Sequence, residues 1–394
     1  MPFFTEILKI IVPKLRPTLA GVYIHIPFCK KACHYCNFHF STSWRQRDEM
    51  LLAILKEIDL QHDYLKEAEI DTIYLGGGTP SVLTAKDLNV LFKKIYSTFS
   101  ISANPEITLE ANPDDLSPEY LTELKNATPI NRLSIGIQSF SEEDLLWMNR
   151  AHNAIEARAC IEYAQDIGFD NLTIDLIYGA PTTSDEQWVK NLKIAFEYDI
   201  PHISCYGLTV ETGTALDSFI KKGKTAPVDE EKSARHFEIL MSEMKRFGFI
   251  HYEISNFAQP DSFARHNSNY WLSVPYLGIG PSAHSFDGVS RQWNIANNPK
   301  YIKSLYEDIV PFTREDLTDV QRYNEYVMTT LRTIWGCDPS VIDIKFGKTF
   351  LKYFNKKVLQ YIQNQTVVTD GKKYYLTDTG RLLADRIAME LFFE

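Results

Sequence analysis

Along the first half of the chain, short and nearly continuous apolar runs alternate with segments that are apolar on one helical face. The runs are GVYIHIPF (21–28), DTIYLGGG (71–78), EITLEANP (106–113), RLSIGIQSF (132–140), NLTIDLIYG (171–179) and HISCYGLTV (202–210). Between them lie helical patterns such as DEMLLAILKEIDLQHDYLKE (48–67) and DEQWVKNLKIAFEYD (185–199). Apolar strands that each lead into an amphipathic helix are the signature of a parallel sheet buried on both faces. Six such units predict an α/β fold: a partial (β/α)6 TIM-like barrel, two units short of closure, with functional groups at the C-terminal ends of the strands.

Past residue 210 the rhythm changes. A long charged helix, VDEEKSARHFEILMSEMKRFG (228–248), precedes a strand-like YEISNFA (252–258) and a stretch rich in aromatics, Gly and His. From about 300 the pattern reads as helices, a hairpin in TVVTDGKKYYL (366–376) and a last helix in TDTGRLLADRIAMELF (377–392). Asp370-Gly371 between two β-prone runs signals a two-residue turn. The expected division is an N-terminal extension (1–20), a partial barrel (21–225), a barrel extension (226–299) and a smaller C-terminal α+β domain (300–394), helical with a winged-helix-like hairpin. The first twenty residues hold an apolar stretch with Glu6 before it and Lys9 inside it, unlike a secretory signal. They read as an extension ahead of the first strand, with an amphipathic surface segment as the sharper alternative.

Composition narrows the function classes. The 394 residues are 44% hydrophobic and 23% charged, with a formal charge of −10. An acidic chain is a poor partner for phosphate backbones, so no nucleic-acid partner is expected. No apolar run reaches the ~18–20 residues that span a bilayer. Of six cysteines, Cys29, Cys33 and Cys36 crowd into eight residues, while Cys160, Cys205 and Cys337 lie scattered. That is a poor disulfide framework and fits a reducing cytoplasm.

The trio C-x-x-x-C-x-x-C directly follows the first strand. Thiolates hold iron–sulfur clusters, and a cubane with three protein thiolates keeps one iron open for a chelating ligand. A Cys₃His zinc site, with His25, His34 or His39 as fourth ligand, is the alternative, although structural zinc usually takes two separated cysteine pairs. Elsewhere, Gly76-Gly77-Gly78-Thr79-Pro80 lets backbone approach a ligand, Glu110 suits hydroxyl groups, and the Arg150 fork suits a carboxylate.

The loop resembles that of the radical-SAM superfamily. The longer string YIHIPFCKKACHYCNF (23–38) is similar to the branch containing the oxygen-independent coproporphyrinogen III oxidases (HemN) and the heme chaperones (HemW), and the resemblance runs in order over roughly residues 21–290. It implies a [4Fe–4S] cluster on Cys29, Cys33 and Cys36. It also implies S-adenosylmethionine contacts from Tyr23, Gly77, Gly78, Thr79, Glu110, Gln138, Arg150 and Asp175. Oxidases of this branch carry a further cysteine two places beyond the trio, where this chain has Phe38. Little chain precedes the first strand to cover a decarboxylase site. Both departures resemble the heme chaperones.

The motif H-N-x-x-Y-W, formed by His266, Asn267, Tyr270 and Trp271, looks like that group's heme-associated motif. It implies heme contact, with His284 as a competing iron ligand. The resemblance implies heme and heme-accepting apoproteins as partners, with respiratory membrane proteins among the acceptors it allows. It also allows a homodimer, and a cytoplasmic location that includes the periphery of the inner membrane face. An enzyme, oxidatively decarboxylating coproporphyrinogen III, is the alternative.

Overall fold

The computed structural model describes residues 19–394. Six parallel strands in sequential order form its centre: β1 (Leu19–Ile26), β2 (Glu69–Gly77), β3 (Ile101–Ala111), β4 (Arg132–Gln138), β5 (Leu172–Tyr178) and β6 (His202–Gly207). Each of the six apolar runs coincides with one of these strands over most of its length. Their outward residues, among them Ile24, Ile73, Ile107, Leu133, Ile174 and Ile203, are fully or almost fully buried in one core with the flanking helices. The helix Ala85–Thr98 illustrates local encoding: Thr84 and Asp87 form a reciprocal capping box at its start, satisfying donors that a helix N-terminus leaves unpaired.

The sheet does not stop at six. After β7 (Ile250–Glu253) and β8 (Asn256–Ala258), β8 pairs antiparallel with β6. β9 (Tyr276–Ile279) joins β1 in parallel on the opposite side. Antiparallel β10 (His284–Phe286), β11 (Ser290–Asn294) and β12 (Phe312–Asp316) then complete twelve strands. The segment expected as a 226–299 extension therefore lengthens both edges of the same sheet. YEISNFA, expected as one strand, is a tight hairpin bent at Ile254–Ser255.

Two expected boundaries move. The N-terminal extension ends before Leu19, because Leu19 and Ala20 already pair with Glu69 and Ile70; the amphipathic reading of the earlier residues lies outside the described chain. The C-terminal unit begins near 317 rather than 300. Tyr301, Ile302 and Leu305, on the helix Asn298–Tyr306, pack into the barrel core, whereas the second core is built from Tyr323 onward with Val327, Phe354 and Val358. There β13 (Val367–Thr369) and β14 (Tyr374–Leu376) pair across four residues, 370–373, rather than two. The Asp370 side chain accepts from the backbone N–H groups of Lys372 and Lys373 and shapes that wider turn. The last helix is also split, into Asp378–Arg381 and Ala384–Glu390. No helix among the described residues is long and apolar enough to cross a membrane.

Candidate functional site at the mouth of the lumen

The cysteine loop leaves β1 at the C-terminal end of the parallel strands. Cys29, Cys33 and Cys36 are all free and half-buried. Backbone bonds fix both flanks: Cys29 N–H donates to the Ser41 carbonyl at 3.1 Å, and His34 N–H to that of Met148 at 3.1 Å. Asn149 Nδ2 donates to the Ala32 carbonyl at 2.7 Å.

Two side chains donate to the sulfurs. Thr79 Oγ1 lies 3.4 Å from Cys29 Sγ, and Arg150 Nη1 lies 3.2 Å from Cys33 Sγ. Burial, followed by the neighbouring thiols, pushes Cys29 up to about 11, against the pull of Thr79 and Arg150. Such thiols favour the neutral form until a cation compensates their charge. Among the described residues, no group of three or more His, Cys, Asp or Glu side chains is arranged around a single metal ion. A cubane makes a different demand, since each thiolate binds a separate iron. The donor set fits that demand.

The glycine run has a packing role at the base of the loop. Gly77 has φ +104°, and a Cβ there would fall 2.5 Å from the His25 ring. A Cβ on Gly78 would lie 2.7 Å from the carbonyl oxygens of Ile26 and Phe28. Gly78 and Thr79 N–H groups donate to those same carbonyls at 2.9 and 2.8 Å. The absence of side chains thus lets β2 brace the base of the cysteine loop.

Glu110, near the end of β3, accepts from Tyr74 OH at 2.7 Å and from Gly77 N–H at 3.2 Å. Burial raises it to about 7, and the nearby Asp175 charge adds to the effect. Asp175 sits in the middle of β5 rather than at its end, and burial raises it to about 6. Gln138 closes β4 with φ +64°, a conformation that non-glycine residues adopt only when their surroundings hold them there.

Arg150 spans the space between these groups. Its Nη2 donates to Asn112 Oδ1 at 2.6 Å and to the Gly136 carbonyl at 2.8 Å. Its buried Nε has no hydrogen-bond partner. A buried guanidinium with a spare donor, beside half-buried thiols and a carboxyl group, suits a polar ligand carrying a carboxylate and hydroxyls. Tyr23 lies lower, paired with His25 Nδ1 at 3.2 Å and stacked on Tyr74 at 6.1 Å between ring centroids.

Tyr74, Asn112 and Asn149 were not singled out from the sequence. Asn112 stands in the quoted TLEANPDD string, but its partners, Thr79 and Arg150, are 33 and 38 residues away. Nothing local signals such pairing.

His266, Asn267, Tyr270 and Trp271 lie elsewhere, on the short helix Arg265–Trp271, which closes the lumen from below. Glu106 accepts from the backbone N–H groups of Arg265 and His266, both at 2.9 Å. The His266 ring is buried, with Nδ1 2.8 Å from Thr72 Oγ1 and Nε2 2.9 Å from Tyr270 OH. It stacks on Tyr74 at 5.1 Å, and burial lowers it to about 3. Asn267 donates to Tyr252 OH at 3.1 Å, and Trp271 packs half-buried beside Tyr252 and Trp335. In this conformation neither His266 nitrogen is open to iron. Tyr74, touching both Glu110 and His266, links the mouth to this floor.

Comparison with known proteins follows the same division of the chain. Residues 23–195 match the model of the Radical SAM superfamily, and residues 317–383 that of the HemN C-terminal domain. The heme chaperone HemW of Mycobacterium tuberculosis is 32% identical over 376 residues, covering 94% of each chain. HemW of Bacillus subtilis is 32% identical across 94% of this chain and 98% of its own. HemW of Escherichia coli is 35% identical over 69% of this chain and 70% of its own. Among solved structures, the radical SAM coproporphyrinogen III oxidase HemN of Escherichia coli superposes with a TM-score of 0.83 at 25% identity, over 99% of this chain and 92% of that one.

Proposed function

This chain belongs to the HemW heme chaperone family of radical SAM proteins, and from that premise we propose that it binds heme and delivers it to acceptor apoproteins. In this reading Cys29, Cys33 and Cys36 carry a [4Fe–4S] cluster, and the adjoining groups hold S-adenosylmethionine. The observation that carries it is the mouth itself: three half-buried thiols with hydrogen bonds from Thr79 and Arg150, beside Glu110 and a buried Arg150 Nε without a partner.

The residues divide the work by chemistry. Thr79 and Arg150 direct donors at sulfur and offset thiolate charge. Once ionised, Glu110 accepts hydrogen bonds from hydroxyl groups, and Arg150 offers a donor to a carboxylate. Gln138 stands at that end of the lumen, and Asp175 lies deeper, in the middle of β5. Gly77 and Gly78 act by seating the loop against β1. When bound, the cluster and its cofactor supply one-electron chemistry at the sulfonium C–S bond.

Phe38 separates this reading from its rival. It stands 69% exposed where the related oxidases carry a further cysteine. The second reading, oxidative decarboxylation of coproporphyrinogen III, is favoured by the extent of the fold match to HemN. Anaerobically reconstituted protein supplied with coproporphyrinogen III, S-adenosylmethionine and dithionite distinguishes them. The expected outcome is heme binding without protoporphyrinogen formation; sustained protoporphyrinogen formation overturns the chaperone reading. Heme handed from loaded protein to an apo-cytochrome, followed spectroscopically, tests delivery directly.

A further inference from the structure

All ten histidines of the chain lie in the described residues. Nine have at least one ring nitrogen within hydrogen-bond distance of a partner: His25, His34, His39, His62, His152, His202, His236, His251 and His266. His284 has neither nitrogen engaged, and its side chain is exposed. It opens β10 and stands directly opposite Trp293 of β11, with ring centroids 5.9 Å apart and planes inclined by 24°. Two residues along the same face, Phe286 stands opposite Arg291, whose guanidinium lies 5.9 Å from the phenyl centroid. Alternation along two paired strands puts all four side chains on one face.

The backbone beneath them is unusually fixed. A Cβ on Gly278 would come within 2.0 Å of the His284 carbonyl oxygen, so β9 and β10 touch where only glycine fits. On the opposite face, buried Glu57 accepts from Gly280 N–H at 2.8 Å and from Asn294 Nδ2 at 2.6 Å, with Tyr301 OH as a further donor. Those bonds anchor the turn before His284 and the residue after Trp293. A rigid support of this kind holds a ligating side chain in one orientation.

We propose that the β10–β11 face is a metalloporphyrin-binding platform, with His284 as the axial ligand to iron, Trp293 and Phe286 against the macrocycle and Arg291 pairing with a propionate. The proposal rests on the heme-chaperone reading and gives that reading a site distinct from the buried His266. A planar apolar ring bearing carboxylates and a metal needs a free imidazole, aromatic surface and a cation, and those three meet here. Partial burial and then the Arg291 charge lower the pKa of His284. Arg291 gives one N–H to Glu325 at 2.9 Å and retains others for a second carboxylate. The platform also joins the lumen through aromatic contacts, from Phe286 to Tyr276 at 6.4 Å and from Tyr276 to Tyr270 at 4.6 Å.

The test titrates ferric protoporphyrin IX into the full chain with its cluster reconstituted, reading the Soret band and the iron–imidazole resonance Raman signature. Wild type is expected to show histidine ligation. His284→Ala should lose that signature and bind at least about tenfold more weakly, with added imidazole restoring the band. Trp293→Ala should weaken binding while keeping the signature, and His266→Ala should keep the signature in whatever fraction folds. Iron-free protoporphyrin should bind wild type and His284→Ala alike. An unchanged signature and affinity in His284→Ala, or equal loss of iron-free porphyrin binding, overturns the assignment. Failure of wild type to bind heme at all overturns the chaperone reading instead.

Discussion

The two ends of the lumen treat their imidazole, thiol and carboxyl groups in opposite ways. At the floor, Glu106, His266 and Thr72 are occupied by one another, and His202 is held between Thr173 and Tyr252 at 2.9 and 2.7 Å. At the mouth, three thiols carry no metal-like convergence, Arg150 keeps an unpartnered Nε, and two carboxyl groups are pushed toward neutrality. Buried polar groups that satisfy each other make a rigid plug. Groups held short of satisfaction make a site waiting for a ligand. An imidazole beside two aromatics is therefore not enough to mark a ligand site; the state of its nitrogens decides.

The largest effect expected from breaking this contrast is at the mouth. Cys33→Ala should abolish cluster assembly, so that iron and sulfide analysis falls from about four irons per chain to near zero, while the far-ultraviolet circular dichroism is retained. Retained iron in that variant would remove the trio from the site.

At the floor, Glu106→Ala strands the N–H groups of Arg265 and His266 in the interior. It should cost about 3 kcal/mol of unfolding free energy in urea titrations with little change in cofactor affinity. A loss of cofactor affinity without a loss of stability would reverse the roles assigned to the two ends.

A third expectation concerns pH. Glu110 is raised from 4.5 to about 7 in the folded protein. The shift favours the folded state when the group is protonated, and that contribution is lost as pH climbs from about 4.5 through about 7. Cofactor affinity should move the other way, rising through about 7 as the carboxylate forms. Glu110→Gln should flatten both profiles. Tyr74→Phe removes a hydrogen bond that lowers this pKa, so the binding midpoint should move to higher pH with a modest change in affinity. An unmoved midpoint would disconnect Tyr74 from Glu110. The smallest effect belongs to Phe38→Ala: at an exposed position it should alter stability by less than about 0.5 kcal/mol.

Much of this architecture was legible in the order of residues. β1 to β6 announced themselves because strands buried on both faces need unbroken apolar runs, whereas Tyr23 and Gln138 were singled out through the family resemblance alone. Some strands flanking that centre were not: β8 and β10 have three residues each, too few for a period to register. The roles of Tyr74 and Asn112 were hidden because their partners come from segments distant in sequence. Gly77 and Gly78 were visible as glycines, yet the reason for them, the His25 ring and the Phe28 backbone, only exists once β1 and β2 are paired.

The clamp on the cysteine loop also sets a timetable for the nascent chain. Cys33 lies 117 residues ahead of Arg150, and the His34 carbonyl accepts from Leu216 N–H at 2.8 Å. At ribosomal rates of about 5–20 residues per second, the three thiols emerge on the order of ten seconds before the guanidinium that will cover one of them. The Leu216 tether arrives later still. During that interval the thiols lack the contacts that later surround them.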